Sequence, residues 1–282
     1  MRVWVTGARG MLGSALCERL APSLEVIPTH RGELDLRETE ATLAAARAVR
    51  PEVIFHTAGY TDVDRAEHEP EQAWAGNVLT TWNVAVAARE CGAVLVYISS
   101  DFVFDGLKPG PYHEFDPPHP LNVYGQTKAA AEQLVRQLLE RHFIVRVSGL
   151  FGPYGHHFVR AILRRARAGE PLRVVDDQVC ARTYTLDLAD ALKELIQSPL
   201  YGTYHLTNAG ASSWYEFARD IVAAAGLQDV SLEPVSSARR NAPARRPSQS
   251  VLENCCWRMT GHAPLRPVDE ALREYFQTEV EW

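Results

Sequence analysis

An α/β fold with a parallel, doubly wound sheet is predicted by three features of this chain. The first is a short apolar run, Arg2–Thr6, that leads at once into the turn Gly7-Ala-Arg-Gly10-Met-Leu-Gly13. The second is the alternation of apolar runs with helical patterns, which calls for crossover connections between parallel strands. The third is Val94-Leu-Val-Tyr-Ile98, apolar on both faces as the centre of a parallel sheet must be. The chain has 282 residues, 46% of them hydrophobic, which suits one large α/β domain or one with a second lobe grown from it.

Composition excludes several classes. The net charge is −6 with acids and bases interspersed, and no basic stripe suggests nucleic acid or an anionic membrane. Five cysteines, an odd number without CxxC spacing, argue against a disulfide framework and for reduced thiols. No run has signal-peptide character or reaches the ~18 apolar residues of a membrane span. A cytoplasmic protein is expected. His156 and His157 are adjacent rather than at ligand spacing, so no metal is expected.

The elements follow in order. After the Arg2–Thr6 strand, Gly7 permits a tight turn, Gly10 lets the backbone approach a pyrophosphate, and Gly13 lets the helix over Ser14–Leu20 pack on the strand. That helix's free N–H groups and partial positive charge suit phosphates. The second strand is Leu24–Pro28. Arg31 beyond it suits a ribose 2′-phosphate, where a carboxylate would suit a 2′-hydroxyl, so NADPH is favoured over NADH. Asp35 either grips the adenine or caps a helix beginning near Arg37. Residues 39–49 are helical and residues 51–56 form a strand ending in the small residues Thr57-Ala-Gly59. Gln72–Cys91 is a long helix carrying Asn77 and Asn83. The central strand Val94–Ile98 ends in Ser99-Ser-Asp-Phe102, where open α/β sheets place active residues. Residues 109–120 are an irregular loop.

Tyr124-Gly-Gln-Thr-Lys128 opens a helix that runs to His142, and its spacing puts phenol and ammonium on one face. A phenol titrates near about 10; a fixed ammonium beside it favours phenolate and pulls that value toward working pH. Such a phenol can give or take a proton at a carbonyl or alcohol oxygen. Ser100 can hydrogen-bond the same oxygen, or cap a turn. Further elements are a strand at Phe143–Val147, helices at 158–168, 187–197 and 214–225, strands near 172–175 and 203–206, a loop from Pro234 to Pro247, and a terminal helix at Val268–Phe276.

Together these stretches resemble the extended short-chain dehydrogenases, and more narrowly the dTDP-4-dehydrorhamnose reductase family. The narrower words are Ala58-Gly-Tyr-Thr-Asp-Val-Asp-Arg-Ala-Glu67, Ile98-Ser-Ser-Asp-Phe-Val-Phe-Asp-Gly106, Asn122–Lys128, Val175-Asp-Asp-Gln178, Thr183–Ala189, Gly202–Thr207, Ser213–Ala218 and Arg246-Pro-Ser-Gln-Ser-Val-Leu252. The resemblance implies a Rossmann-type doubly wound parallel sheet with a smaller, interleaved C-terminal substrate-binding lobe. Residues 1–150 plus 174–207 would bind the dinucleotide and 151–173 plus 208–282 the substrate. It implies NADPH-dependent reduction of the 4-keto group of a nucleotide-linked 6-deoxyhexose, with catalysis by Ser100, Tyr124 and Lys128. Implied cofactor contacts are Gly7, Arg9, Gly10, Met11, Leu12, His30, Arg31, Asp35, Leu36, Ala58, Gly59, Tyr60, Tyr124 and Lys128. Implied substrate contacts are Val63, Ser100, Asp101, Phe102, Tyr124, Gln178 and Arg246, the last as a clamp on the pyrophosphate among its neighbours Arg239, Arg240 and Arg245. A homodimer is also admitted. A second branch resembles the regulatory subunit of methionine adenosyltransferase, which keeps the cofactor site without catalysis.

The chain departs from the family where Ser100 replaces Thr, Phe102 replaces Tyr, and His157 replaces Asn. Cys180-Ala-Arg182 stands for Gly-x-Pro. Gly149 stands for a Trp that stacks on the nucleotide base, so poor discrimination between thymidine and uridine carriers is expected.

Overall fold

The computed structural model describes residues 1–240 and 242–278. Six parallel strands form the main sheet: β1 (Arg2–Thr6), β2 (Glu25–Thr29), β3 (Val53–His56), β4 (Val94–Ser100), β5 (His142–Val147) and, later in the chain, β10 (Gly202–His205). Their order is β10-β5-β4-β3-β1-β2. The chain leaves β1 toward β2 on one side, then returns to β3 on the other. The crevice outside β1 and β3 is therefore the topological switch point, where such sheets bind ligands.

Both sheet faces are covered, because residues alternate sides along each strand. Val3, Val5, Phe55, Val96 and Val145 face one core with α1 (Met11–Leu20). Trp4, Ile54, Leu95, Tyr97 and Ile144 face a second core with α2 (Thr39–Val49), α5 (Thr80–Cys91) and α6 (Val123–Leu138). Short α3 (Val63–His68) and α4 (Pro70–Trp74) precede α5. The expected helix from Gln72 to Cys91 instead contains a π-helical turn over Ala75–Leu79.

The later chain adds small pairs: β6 (Leu150–Phe151) with β9 (Thr183–Tyr184), β7 (Leu172–Val175) with β12 (Leu232–Val235), and β8 (Val179–Cys180) with β11 (Ser212–Ser213). Its helices are α7 (Phe158–Arg167), α8 (Thr185–Leu195), α9 (Trp214–Ala224), α10 (Ser237–Arg240), α11 (Cys255–Met259) and α12 (Val268–Thr278). The loop expected from Pro234 thus contains the end of a strand and a helical turn; Pro234 is tolerated because β12 is an edge strand. Among the described residues no helix is long and apolar enough to cross a membrane.

Candidate active site

The glycine turn is built by backbone contact. Gly7 has φ +73°, and a Cβ there would lie 2.6 Å from the Ala58 nitrogen, across the switch-point crevice. A Cβ on Gly13 would lie 2.2 Å from the Gly7 oxygen, so only glycine lets α1 seat this closely. Gly10 caps α1 without a side-chain bond, and the first turn carries no acid. Its N–H groups and dipole are thus left to an anion, which fits a dinucleotide pyrophosphate. Met11 lies in this first turn, partly buried, and Leu12 packs into the core.

Beside the turn is a cleft of about 510 Å³ lined by Ala8, Arg9, Ser14, Pro28, His30, Glu33 and Tyr154, among others. Arg9, not Arg31, is the arginine on this cleft; Arg31 is exposed outside it. Tyr154 donates to Glu18 Oε2 at 2.7 Å along its wall. Asp35 does not cap a helix. It accepts from the Arg37 nitrogen and guanidinium, which hold its carboxyl down at about 2, and α2 begins only at Thr39. Leu36 is buried behind it.

Ala58, Gly59 and Tyr60 are held by Asn77. Its Oδ1 accepts from the Tyr60 nitrogen at 2.7 Å, and its Nδ2 donates to the Tyr60 oxygen and to Thr127 Oγ1. Asn77 sits in the π-helical turn, a device common at functional sites. It ties the loop after β3 to α6 one residue before Lys128.

Tyr124 and Lys128 lie one turn apart on α6. Asn122 caps this helix, accepting from the Gly125 nitrogen at 2.8 Å. A Cβ on Gly125 would lie 2.1 Å from the Phe102 oxygen, so glycine after Tyr124 lets α6 press against the turn after β4. That packs Tyr124 against the turn that carries Ser100, with the Phe102 ring edge-on to Tyr124 at 6.0 Å. Ser100 is also a cap, accepting from the Phe102 nitrogen, which is the second of its two expected roles.

The expected effect of Lys128 on the phenol is absent from this arrangement. Burial pushes Tyr124 up to about 12, with Ser100 opposing. Lys128 instead donates to the Ile98 oxygen at 2.5 Å and lies over the Tyr97 ring, and burial lowers it to about 7. Behind it, Glu132 is fully buried and takes two 2.8 Å bonds from Arg146 and one from Ser99.

Of the expected substrate contacts, Val63 and Phe102 are half-buried and Gln178 is buried. Asp101 turns inward: it is 3% exposed and both its oxygens accept from serines. Arg246 forms a two-pronged ion pair with Asp64, at 2.8 and 2.9 Å. The Arg240 side chain lies outside the described residues.

Two of the departures prove to be one. Gly149 has φ +52°, and a Cβ there would lie 2.7 Å from Arg182 Cδ. The Arg182 side chain occupies the space a residue-149 side chain would need. Its guanidinium is buried 4.2 Å from the centre of the Trp214 ring and donates to the Cys180 and Ala181 oxygens. Among the described residues no group of three or more His, Cys, Asp or Glu could hold a metal ion.

A doubly wound parallel sheet, a glycine cradle at its switch point, and a serine–tyrosine pair beside a lysine define a nicotinamide-dependent reductase of the extended short-chain dehydrogenase class. Within that class the chain belongs to the family described as RmlD substrate binding domain, whose model matches residues 1–280. It is 39% identical to a dTDP-4-dehydrorhamnose reductase of Streptomyces griseus, covering 96% of this chain and 92% of the relative. It is 37% identical to a probable dTDP-4,6-dihydroxy-2-methyloxan-3-one 4-ketoreductase of Streptomyces antibioticus, covering 98% and 95%. The dTDP-4-dehydrorhamnose reductase of Bacillus anthracis, solved in complex with NADP, superposes with a TM-score of 0.96 at 40% identity, covering 98% of each chain.

Proposed function

We propose that this chain reduces the 4-keto group of a nucleotide-linked 6-deoxyhexose with NADPH, taking dTDP-4-dehydro-L-rhamnose to dTDP-L-rhamnose. The observation that carries this reading is the packing of α6, with Tyr124 and Lys128, against the Ser100 turn at the carboxyl end of β4, beside the glycine cradle. Bound NADPH supplies a hydride to the carbonyl carbon. Tyr124 gives its proton to the carbonyl oxygen, so the ketone gains one hydride and one proton and becomes an alcohol. A phenol raised to about 12 is fully protonated at neutral pH, the state a proton donor in the reducing direction requires. Ser100 orients the reacting oxygen, and Lys128 is assigned to the nicotinamide ribose.

The turn residues Gly7, Gly10 and Met11 would receive the pyrophosphate of the cofactor, and Arg9 with His30 the 2′-phosphate. Val63, Phe102 and Gln178 would meet the sugar nucleotide. Arg246 can clamp its pyrophosphate only by exchanging Asp64 for it. On this reading residues 1–150 with 174–207 serve the cofactor and 151–173 with 208–282 the substrate, in a cytoplasmic enzyme.

The test is NADPH oxidation with substrate made by the upstream sugar-nucleotide enzymes, with product configuration read by NMR. A product of L-rhamnose configuration is expected. Tight NADPH binding without turnover of any nucleotide 4-keto-6-deoxy sugar would overturn the reading in favour of a cofactor-binding regulatory subunit.

A further inference from the structure

Lys128 is 7% exposed, and among the described residues no carboxylate stands at ion-pair distance from it. Glu132, one turn further along α6, acts on it only across space, because its oxygens are committed to Ser99, Arg136 and Arg146. A buried charge without a partner is costly. What the ammonium does meet is one pair of adjacent residues on β4. Its Nζ donates to the Ile98 oxygen at 2.5 Å and lies 4.4 Å from the centre of the Tyr97 ring.

Tyr97 is 1% exposed on the sheet face that α6 covers. Its hydroxyl makes no hydrogen bond among the described residues, so the ring is what this side chain contributes. His56 lies opposite it in the β3–β4 register, with ring centres 6.0 Å apart. Thr6 and Thr81 engage both nitrogens of His56 and burial keeps it neutral, so no second cation competes for the Tyr97 ring. The other titratable groups facing this pair are Tyr124 and Glu132 on α6, with Arg146 of β5 behind Glu132. The face of an aromatic ring is negative and attracts an ammonium, most strongly away from water. An ammonium has three donor hydrogens. A carboxylate partner would hold the charge but also claim those hydrogens; a ring holds the charge and claims them weakly.

We propose that Tyr97 is a positioning residue for the cofactor site: its ring face, with the Ile98 carbonyl, seats the Lys128 ammonium in its charged form and leaves the other donor hydrogens for the nicotinamide ribose. This inference rests on the assignment of Lys128 to that ribose.

The chain has three lysines, Lys108, Lys128 and Lys193, so lysine labelled with ¹³C at Cε gives three NMR signals, and Lys128→Met identifies one of them. The cofactor-free full chain is titrated as wild type, Tyr97→Phe and Tyr97→Leu. Lys128 should titrate alike in wild type and Tyr97→Phe, because the ring is kept. In Tyr97→Leu it should titrate roughly one pH unit lower or more, the worth of a desolvated cation–ring contact. NADPH affinity of Tyr97→Leu, read by fluorescence, should fall roughly five- to tenfold at neutral pH. Its decline with rising pH should begin about one unit lower, a shift that a loosened core alone would not produce. A phenylalanine bearing ring fluorines at position 97 keeps the shape and weakens the negative face. It should move Lys128 the same way, and it serves as the test where Tyr97→Leu does not fold. Unchanged titration of Lys128 in both of these proteins would overturn the proposal. So would a shifted titration with unchanged NADPH affinity when Lys128→Met binds NADPH weakly. Unchanged NADPH affinity in Lys128→Met would instead remove the ribose assignment on which the inference rests.

Discussion

At the scale of the residue, Tyr124, Lys128 and Arg9 carry separable expectations. Tyr124→Phe removes one hydroxyl and keeps the ring, so turnover should fall by roughly 10²–10⁴ while NADPH binding persists. Lys128 makes a second prediction through stability. Burial holds it at about 7, below its ordinary value of 10.5. The unfolded chain therefore binds the extra proton between those values, and the folded state is penalised most below about 7. As pH rises from about 7 to about 10.5 the penalty disappears, so wild type should gain stability across that range relative to Lys128→Met. Thermal midpoints of the two proteins without cofactor, measured across that range, check the sign; a constant difference would mean that Lys128 is not a depressed base. The third prediction concerns cofactor choice. Arg9 lines the cleft beside the glycine turn and Arg31 does not. Arg9→Ala should weaken NADPH but not NADH by roughly ten- to a hundredfold, the worth of a charge-assisted bond at about 1.5–3 kcal/mol. Arg31→Ala should do less, and titration of both cofactors by fluorescence decides between them.

At the scale of the element, α6 shows what local pattern reveals and what it hides. Tyr124 and Lys128 were legible because four residues make one helical turn. Glu132 lies one turn further on the same face, and Arg146 interrupts the apolar run Phe143–Val147. Those two signals stood in the sequence, but only the fold joins them into a buried ion pair that fastens α6 to β5. Breaking such a pair from one side costs about 3–5 kcal/mol, so Arg146→Met should lower the denaturation midpoint strongly. Glu132 would be left buried without its chief partner, and urea unfolding measures the loss. The π-helical turn at Ala75–Leu79 was not legible. It holds one residue more than an α-turn, and no proline or charge pattern marks it. Gly149 was read as a lost stacking surface. The structure shows a glycine made necessary by the Arg182 side chain packed over it, a pairing of residues too far apart in sequence for any local period to register.

At the scale of the whole molecule, the parallel, doubly wound sheet followed from the alternation of strand and helix. The contacts that join distant segments did not, since Asp64–Arg246 spans 182 residues and Asp101–Ser250 spans 149. Two buried histidines belong to the same hidden class. His56 is 1% exposed and His205 is fully buried. Thr81 donates to the Asn77 oxygen, so it must accept from His56 Nε2–H, and Thr6 then donates to Nδ1. Arg146 donates to His205 Nε2, leaving Nδ1–H to donate to the Glu253 oxygen. Each ring thus has one neutral tautomer satisfied on both sides and no acceptor for a second proton. Burial lowers both to about 3, from an ordinary 6.5. The unfolded chain takes up these protons first as pH falls, so the stability they contribute is complete above about 6.5 and is lost on the way down to about 3. Asp101 and Glu114, raised by burial, act in the opposite sense as they protonate in the folded chain, so the histidine contribution is read as a difference from a variant whose ring cannot titrate. Stability should therefore decline from about pH 6.5 downward, by at most about 1.4 kcal/mol per pH unit for each proton. His56→Gln, which can bond both threonines but cannot titrate, should be less stable at neutral pH and show a shallower decline. Denaturant midpoints from about pH 7.5 to about pH 5 measure both slopes, and equal slopes would mean that His56 charges without unfolding the site around it.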